Sequence, residues 1–169
     1  MSKLRAEDIS SQICVSELGL KENDKFIDIC SAPGSKSFTA AQYMNNKGTI
    51  YSCDIHSHRV ELIKSGAERL GLNCIVPTEN DATVFNEKFI NADCVLCDVP
   101  CSGLGIIGKK PEIKYKSLDE TKELIPIQKQ ILMTASQYLK KGGTLIYSTC
   151  SINPNENRKV CDWFLKENK

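Results

Sequence analysis

The sequence predicts an α/β fold, an open and mostly parallel sheet with helices on both faces. Three observations point there. Short apolar runs alternate with helical patterns along the chain, glycines such as Gly48 and Gly71 close the helical stretches, and acids follow the apolar runs at Asp28, Asp54, Asp81 and Asp98. Strand–helix alternation repeated in this way means parallel strands joined by right-handed crossovers. At 169 residues, 41% of them hydrophobic, the chain suits one domain, residues 1–169, around one core.

The elements follow in order. AEDISSQICVSEL (6–18) is a helical stretch with Ile9 and Ile13 one turn apart, and KFIDIC (25–30) is a short apolar strand. Residues 36–45 read as a helix and GTIYSCD (48–54) as the second strand. HRVELIKSGAERLG (58–71) is amphipathic, with Val60, Ile63, Ala67 and Leu70 on one face. NCIVP (73–77) and ADCVLCD (92–98) are the third and fourth strands. A long helical pattern covers 118–143, where Pro126 marks a kink or a break. GTLIYST (143–149) is the fifth strand, and residues 155–166 close as a helix with Pro154 near its first turn. In such sheets ligands bind beyond the carboxyl ends of the strands, where the strand order switches.

Composition narrows the function classes. Lys+Arg number 22 against 21 Asp+Glu, a formal net charge of +1, so any nucleic-acid contact must come from a local patch or from a segment outside this chain. No apolar run approaches the roughly 18 residues of a membrane helix, and the N-terminus lacks a secretion pattern, so a soluble, cytoplasmic chain is expected. Nine cysteines invite a disulfide reading. However, Cys30, Cys53, Cys94, Cys97 and Cys150 lie within or at the ends of strand-like runs, where free cysteine is a small buried hydrophobe. In ADCVLCDVPC the odd spacing sends Cys94 and Cys97 to opposite faces of a strand, so no metal site is expected.

The stretch DICSAPGSKS (28–37) is not a phosphate cradle. Ile29 stands where a P-loop needs its first glycine, and Gly34 is the loop's one glycine, so the dinucleotide fingerprint fails as well. What remains is an acid, a turn at Pro33 and Gly34, and a helix start that brings backbone N–H groups near a ligand without pyrophosphate. Asp54 is placed to accept both hydroxyls of a ribose, and Asp81 in TENDAT to meet the edge of an adenine. Four acids after four strands repel phosphate. They suit a ligand with hydroxyls, amino groups and a positive centre, and S-adenosylmethionine has all three. Each Asp taken singly reads equally well as a helix N-cap.

DVPCSG puts Cys101 three residues beyond Asp98, and YSTCSI puts Cys150 just after the fifth strand. If strands four and five are neighbours, the two thiols converge on the pocket of the methyl donor. A thiol there suits a carbon that becomes nucleophilic only after an addition, such as cytosine C5 after a thiolate adds to C6. A free thiol titrates at about 8.5, so the site must lower that value or protonate the base as the thiolate attacks. Asp98, bonded to N3 or to the exocyclic amine, is the acid in place for the latter. Spacing does not choose between the two thiols, and a pair of buried structural cysteines is the alternative.

Taken together, CSAPGSK, DIHSHR, NDA, DVPCSGLGIIGKKPEIKY and STCS resemble the catalytic domain of the Sun/Fmu family of RNA cytosine-5 methyltransferases, most closely the bacterial enzymes that modify 16S ribosomal RNA. The likeness covers nearly the whole chain. It implies a Rossmann-like class I S-adenosylmethionine-dependent methyltransferase. It also implies that Cys30, Ser31, Ala32, Pro33, Gly34, Ser35 and Lys36, with Asp54, Asp81 and Asp98, bind the cofactor. Cys150 would be the nucleophile and Cys101 would assist release of the methylated base, although in DNA cytosine methyltransferases the Pro-Cys thiol is the nucleophile. Two departures stand out. Gly34-Ser35-Lys36 replaces the family's Gly-Gly-Lys, which Ser35 tolerates if its φ is negative, and His56 stands where a second acid is common. The resemblance further implies an N-terminal RNA-binding region and a C-terminal antiparallel strand pair that this chain lacks, which would leave the fifth strand as an exposed edge.

The partner implied is RNA, with small-subunit ribosomal RNA expected. Contact should fall on IIGKKPEIKYK, where Lys109, Lys110, Lys114 and Lys116 flank Tyr115. The target base must be unpaired or flipped to reach a thiol at the strand ends. Two other readings stay open: a cofactor-binding module without catalysis, and a methyltransferase of exocyclic amines. The latter use [DN]-P-P-[YF], whereas this chain reads Asp98-Val99-Pro100-Cys101.

Overall fold

The computed structural model describes residues 9–115 and 118–168, side chains excepted at Ser10 and 118–121. Five strands, β1 (Lys25–Asp28), β2 (Thr49–Asp54), β3 (Ile75–Glu79), β4 (Ala92–Asp98) and β5 (Leu139–Ser148), form one sheet in the order β3-β2-β1-β4-β5. Every pairing is parallel. The chain steps outward from β1 to β3, then returns to lay β4 on the other side of β1. The switch in strand order therefore falls between β1 and β4, and each of these strands ends on an aspartate, Asp28 and Asp98.

Helices α1 (Ile9–Ser16), α2 (Ser35–Tyr43) and α3 (Ser57–Leu70) cover one face of the sheet, and α4 (Leu118–Ser136) and α5 (Arg158–Glu167) the other. The core expected from length is thus two layers split by the sheet. Phe26, Ile50 and Leu96 meet Phe38 and Ile63 on one side, while Ile27, Val95 and Cys97 meet Ile131, Leu132 and Val160 on the other. Each such side chain contributes roughly 1.5–3 kcal/mol by leaving water. β4 is packed on both faces, which is why ADCVLCD reads as a nearly unbroken apolar run. Cys94 and Cys97 belong to opposite layers, as their odd spacing requires.

Several boundaries differ from the sequence reading. Residues 6–8 lie outside the described residues, and α1 turns Val15 inward, with Leu18 following, while Ile9 and Ile13 are exposed. β3 runs two residues later than NCIVP and accepts Pro77 because it is an edge strand, paired with β2 alone. α4 passes through Pro126, whose ring is exposed, without ending, so of the kink or break expected there the break does not occur. The same helix stops at Ser136, and the sheet resumes at Leu139. Pairing skips from Leu139 to Thr144, with Gly142 at φ 78° in the irregular segment. β5 is the other edge of the sheet. α5 begins at Arg158 rather than residue 155, because Asn157 caps it by accepting from the Arg158 N–H.

Candidate functional site

β1 hands the chain to a turn fixed by Gly34. Its φ of 101° is left-handed, and a Cβ there would stand 2.6 Å from the Phe38 ring. Ser35 opens α2 with a negative φ, so it serves in place of a second glycine. Beneath the turn, buried Asp28 accepts from Ser37 Oγ at 2.7 Å, Ser37 accepts from Ser52 Oγ at 2.5 Å, and Ser31 Oγ lies 2.8 Å from Ser52 Oγ. Asp28 Oδ1 is buried without a partner. Burial, outweighing the Ser37 bond, raises this carboxyl to about 7. Asp28 therefore supports the turn from below rather than facing a ligand.

A cavity of about 510 Å³ opens beyond the strand ends, lined by Cys30, Ala32, Asp54, Arg59, Asp81, Asp98, Cys101 and Cys150, with Ile29, Ile55 and Ile131 as apolar wall. Asp54 Oδ1 accepts the His56 N–H at 3.0 Å, and Oδ2 pairs with Arg59 Nη1 at 2.9 Å. Arg59 also donates from Nη2 to the Ala32 carbonyl at 3.1 Å, tying the turn to Asp54. Asp81 Oδ1 accepts from the Thr83 N–H at 2.9 Å and hydroxyl at 2.7 Å. Ser31, Pro33, Gly34 and Ser35 shape the turn without lining this cavity, and Lys36 faces elsewhere.

Lys36 lines a second cavity of about 360 Å³, together with Asp98, Cys14, Ser148 and Cys150. Asp98 and Cys150 thus stand in the wall common to both spaces. Lys36 Nζ donates to Asp98 Oδ2 at 2.6 Å, and Ser148 Oγ donates to Oδ1 at 2.9 Å. Burial works against the Lys36 charge, but Asp98 outweighs it and holds the ammonium above its ordinary range.

Cys101 and Cys150 meet with 2.9 Å between their sulfurs. The pair is asymmetric. Cys150 is exposed, and the bond from Cys101 lowers it to about 7 against burial and Asp98, with Lys36 assisting. The same bond, together with burial, pushes Cys101 up, the direction that makes Cys150 the more readily ionised thiol and leaves Cys101 the proton to donate. Burial raises the strand thiols as well: Cys94 to about 11, with Cys53 and Cys97 also shifted upward.

The family model for the 16S rRNA methyltransferase RsmB/F matches residues 15–169. The chain belongs to this family. A probable ribosomal RNA small subunit methyltransferase B of Bacillus subtilis is 43% identical over 164 residues, 95% of this chain and 37% of the relative. The crystal structure of PH0851 is 34% identical with a TM-score of 0.93, covering 96% of this chain and 38% of that one. NSun6 from Pyrococcus horikoshii, solved with SFG, is 29% identical with a TM-score of 0.86, covering 95% of this chain and 41% of that one. The chain thus spans little more than a third of the curated relative.

In this RsmB/F-family chain the matched region takes in every site residue named from the sequence, and leaves out Cys14 of the second cavity. Arg59, Ser148 and Glu156 stand at the site without having been given a role from sequence. Arg59 sits in DIHSHR, close enough to Asp54 to have suggested an ion pair. Ser148 closes the fifth strand, where nothing in the pattern singles it out, and Glu156 lies in a polar turn with no periodic signal.

Proposed function

We propose that this chain methylates C5 of cytosine in RNA, with S-adenosylmethionine in the larger cavity and the target base in the smaller. The position of Cys150 carries the reading: it lines both cavities and, among the described thiols, is the one drawn down, to about 7. The larger cavity suits the cofactor chemically. Asp54 and Asp81 offer carboxylate oxygens to hydroxyls and an amine, the isoleucines offer flat apolar contact, and Cys30 and Ala32 bring the turn against the remainder. Asp54 must share oxygens now held by Arg59 and His56.

When bound, S-adenosylmethionine supplies an electrophilic methyl group. The Cys150 thiolate forms a bond to C6 of the cytosine, which gives C5 its nucleophilic character. Asp98 already accepts from Lys36 and Ser148, so it serves as an acceptor for the exocyclic amine, and Lys36 is the charged donor for the ring. This revises the acid role expected of Asp98. Once C5 carries the methyl group, a water molecule acting as base would take the C5 proton. The released electron pair would restore the C5–C6 double bond and break the Cys150–C6 bond, and Cys101 stands ready to hydrogen-bond the departing thiolate. RNA meets the exposed loop where Tyr115, 90% exposed, stands among Lys109, Lys110 and Lys114; Lys116 lies outside the described residues.

Transfer of labelled methyl to a 16S RNA fragment tests the reading. Cys150→Ala should abolish turnover, and Cys101→Ala should accumulate a protein–RNA adduct that the wild type resolves. Methylation surviving both substitutions would end the thiol mechanism. A second reading is cofactor binding without turnover. That reading requires S-adenosylmethionine to bind while RNA containing 5-fluorocytosine forms no adduct.

A further inference from the structure

The two sulfurs meet beyond the reach of the sheet. The β4–β5 ladder closes with Asp98 opposite Ser148 and the Val99 N–H on the Ser148 carbonyl at 3.1 Å. Cys101 and Cys150 follow on separate loops, and no strand pairing sets the distance between them. A buried carboxylate behind them does. Glu156, fully buried, accepts the Ser102 N–H on Oε1 at 2.7 Å, and on Oε2 the Ser102 and Ser151 hydroxyls at 2.5 and 2.6 Å. Ser102 and Ser151 are the residues immediately after Cys101 and Cys150. Gln128 of α4 adds a bond to Oε1 at 3.2 Å and another to the Pro100 carbonyl at 3.0 Å, just before Cys101. The Tyr147 hydroxyl donates to the Glu156 carbonyl at 2.6 Å. Burial opposes the Glu156 charge, but these donors outweigh it and hold the carboxyl below its ordinary range.

We propose that Glu156 is a positioning residue, a buried carboxylate that clamps the Cys101 and Cys150 loops together through Ser102 and Ser151 and so sets the contact between the two thiols. The proposal rests on the thiol-pair reading above. Glu156, Ser102 and Ser151 line no part of the larger cavity, so the clamp reaches the cofactor space only through the two thiols in its wall. A second tie, the Gly105 N–H on the Cys150 carbonyl at 2.9 Å, fixes the Cys150 backbone without fixing Cys101 against it.

The test is the pH profile of Cys150 alkylation by iodoacetamide, followed on the Cys150 peptide by mass spectrometry, in wild type, Glu156→Ala and Cys101→Ala. Cys101→Ala removes the S–H donor directly and should move the midpoint upward by about one pH unit or more. Glu156→Ala should move it the same way, and should cut methyl transfer by roughly 10-fold or more because reacting groups lose alignment. S-adenosylmethionine affinity should stay within about two-fold. If Cys101→Ala shifts the profile and Glu156→Ala leaves it in place, the clamp is wrong and the thiol pair survives. If neither shifts it, the thiol-pair reading falls and the clamp with it. Should Glu156→Ala fail to fold, the Ser102→Ala/Ser151→Ala double variant takes its place, with the same shift expected and an unchanged profile again overturning the clamp.

Discussion

Asp28 is a carboxylate whose ionisation opposes the fold. It is fully buried at the end of β1, its Oδ1 has no partner, and its carboxyl titrates at about 7, above the 3.8 of an unstrained aspartate. Between those values the folded chain holds a proton that the unfolded chain has released. Stability therefore falls as pH rises from about 4 to 7, the reverse of an ordinary salt-bridged acid, by at most about 4 kcal/mol. The hydroxyls of Ser37, Ser52 and Ser31 point a chain of polarity at this carboxyl, and their bonds offset part of that cost. Asp28→Asn should match wild type in urea unfolding at pH 4 and exceed it by about 1–2 kcal/mol at pH 8. A variant that loses stability at pH 8 would mean that the charge is compensated in the folded state.

The elements were legible wherever their burial was periodic. α3 buries Ile63 and Ala67 with Val60 and Leu70 at their side, as its spacing predicts, and β4 reads as a strand because it is packed from both faces. The α4–β5 boundary was not legible, because Lys140-Lys141-Gly142-Gly143 carries no apolar period and a left-handed glycine is a property of backbone, not of pattern. Much the same is true at the site. The acids and cysteines could be placed because they follow strands, whereas Glu156, read as part of the polar first turn of the closing helix, looks solvated until the fold buries it. Pro126 is instructive because propensity marked a break and tertiary packing overrode it. Buried Gln128, Ile131 and Leu132 hold the following turns against the sheet while the proline ring points to solvent. The strain should then be recoverable. Pro126→Ala restores a backbone donor inside α4 and should raise stability by about 1–2 kcal/mol, read as a higher Tm, after allowance for the freer unfolded chain.

At the scale of the whole molecule, a net charge of +1 provides little long-range attraction to a polyanion. If the chain binds RNA as proposed, the contact must come from a local patch or from a segment outside this chain, and the loop of Lys109, Lys110, Lys114 and exposed Tyr115 is a patch that combines cations with an open aromatic face. Charge and stacking leave different signatures. Each lysine that neutralises a phosphate adds about 0.7 to the slope of log affinity against log salt for a single strand, whereas a stacked base adds about 1–3 kcal/mol with no salt dependence. Titrations of a single-stranded 16S RNA fragment at several salt concentrations should therefore show weak, salt-sensitive binding. Lys109→Ala/Lys110→Ala/Lys114→Ala should flatten the slope by up to about 2, and Tyr115→Ala should lower affinity by roughly 5- to 100-fold at every salt concentration with the slope kept. Neither change should alter S-adenosylmethionine binding, because none of these residues lines the larger cavity. Binding that stays tight at physiological salt after both changes would place the RNA contact on another face of the sheet's carboxyl edge, and would detach this loop from the path of the flipped base to Cys150.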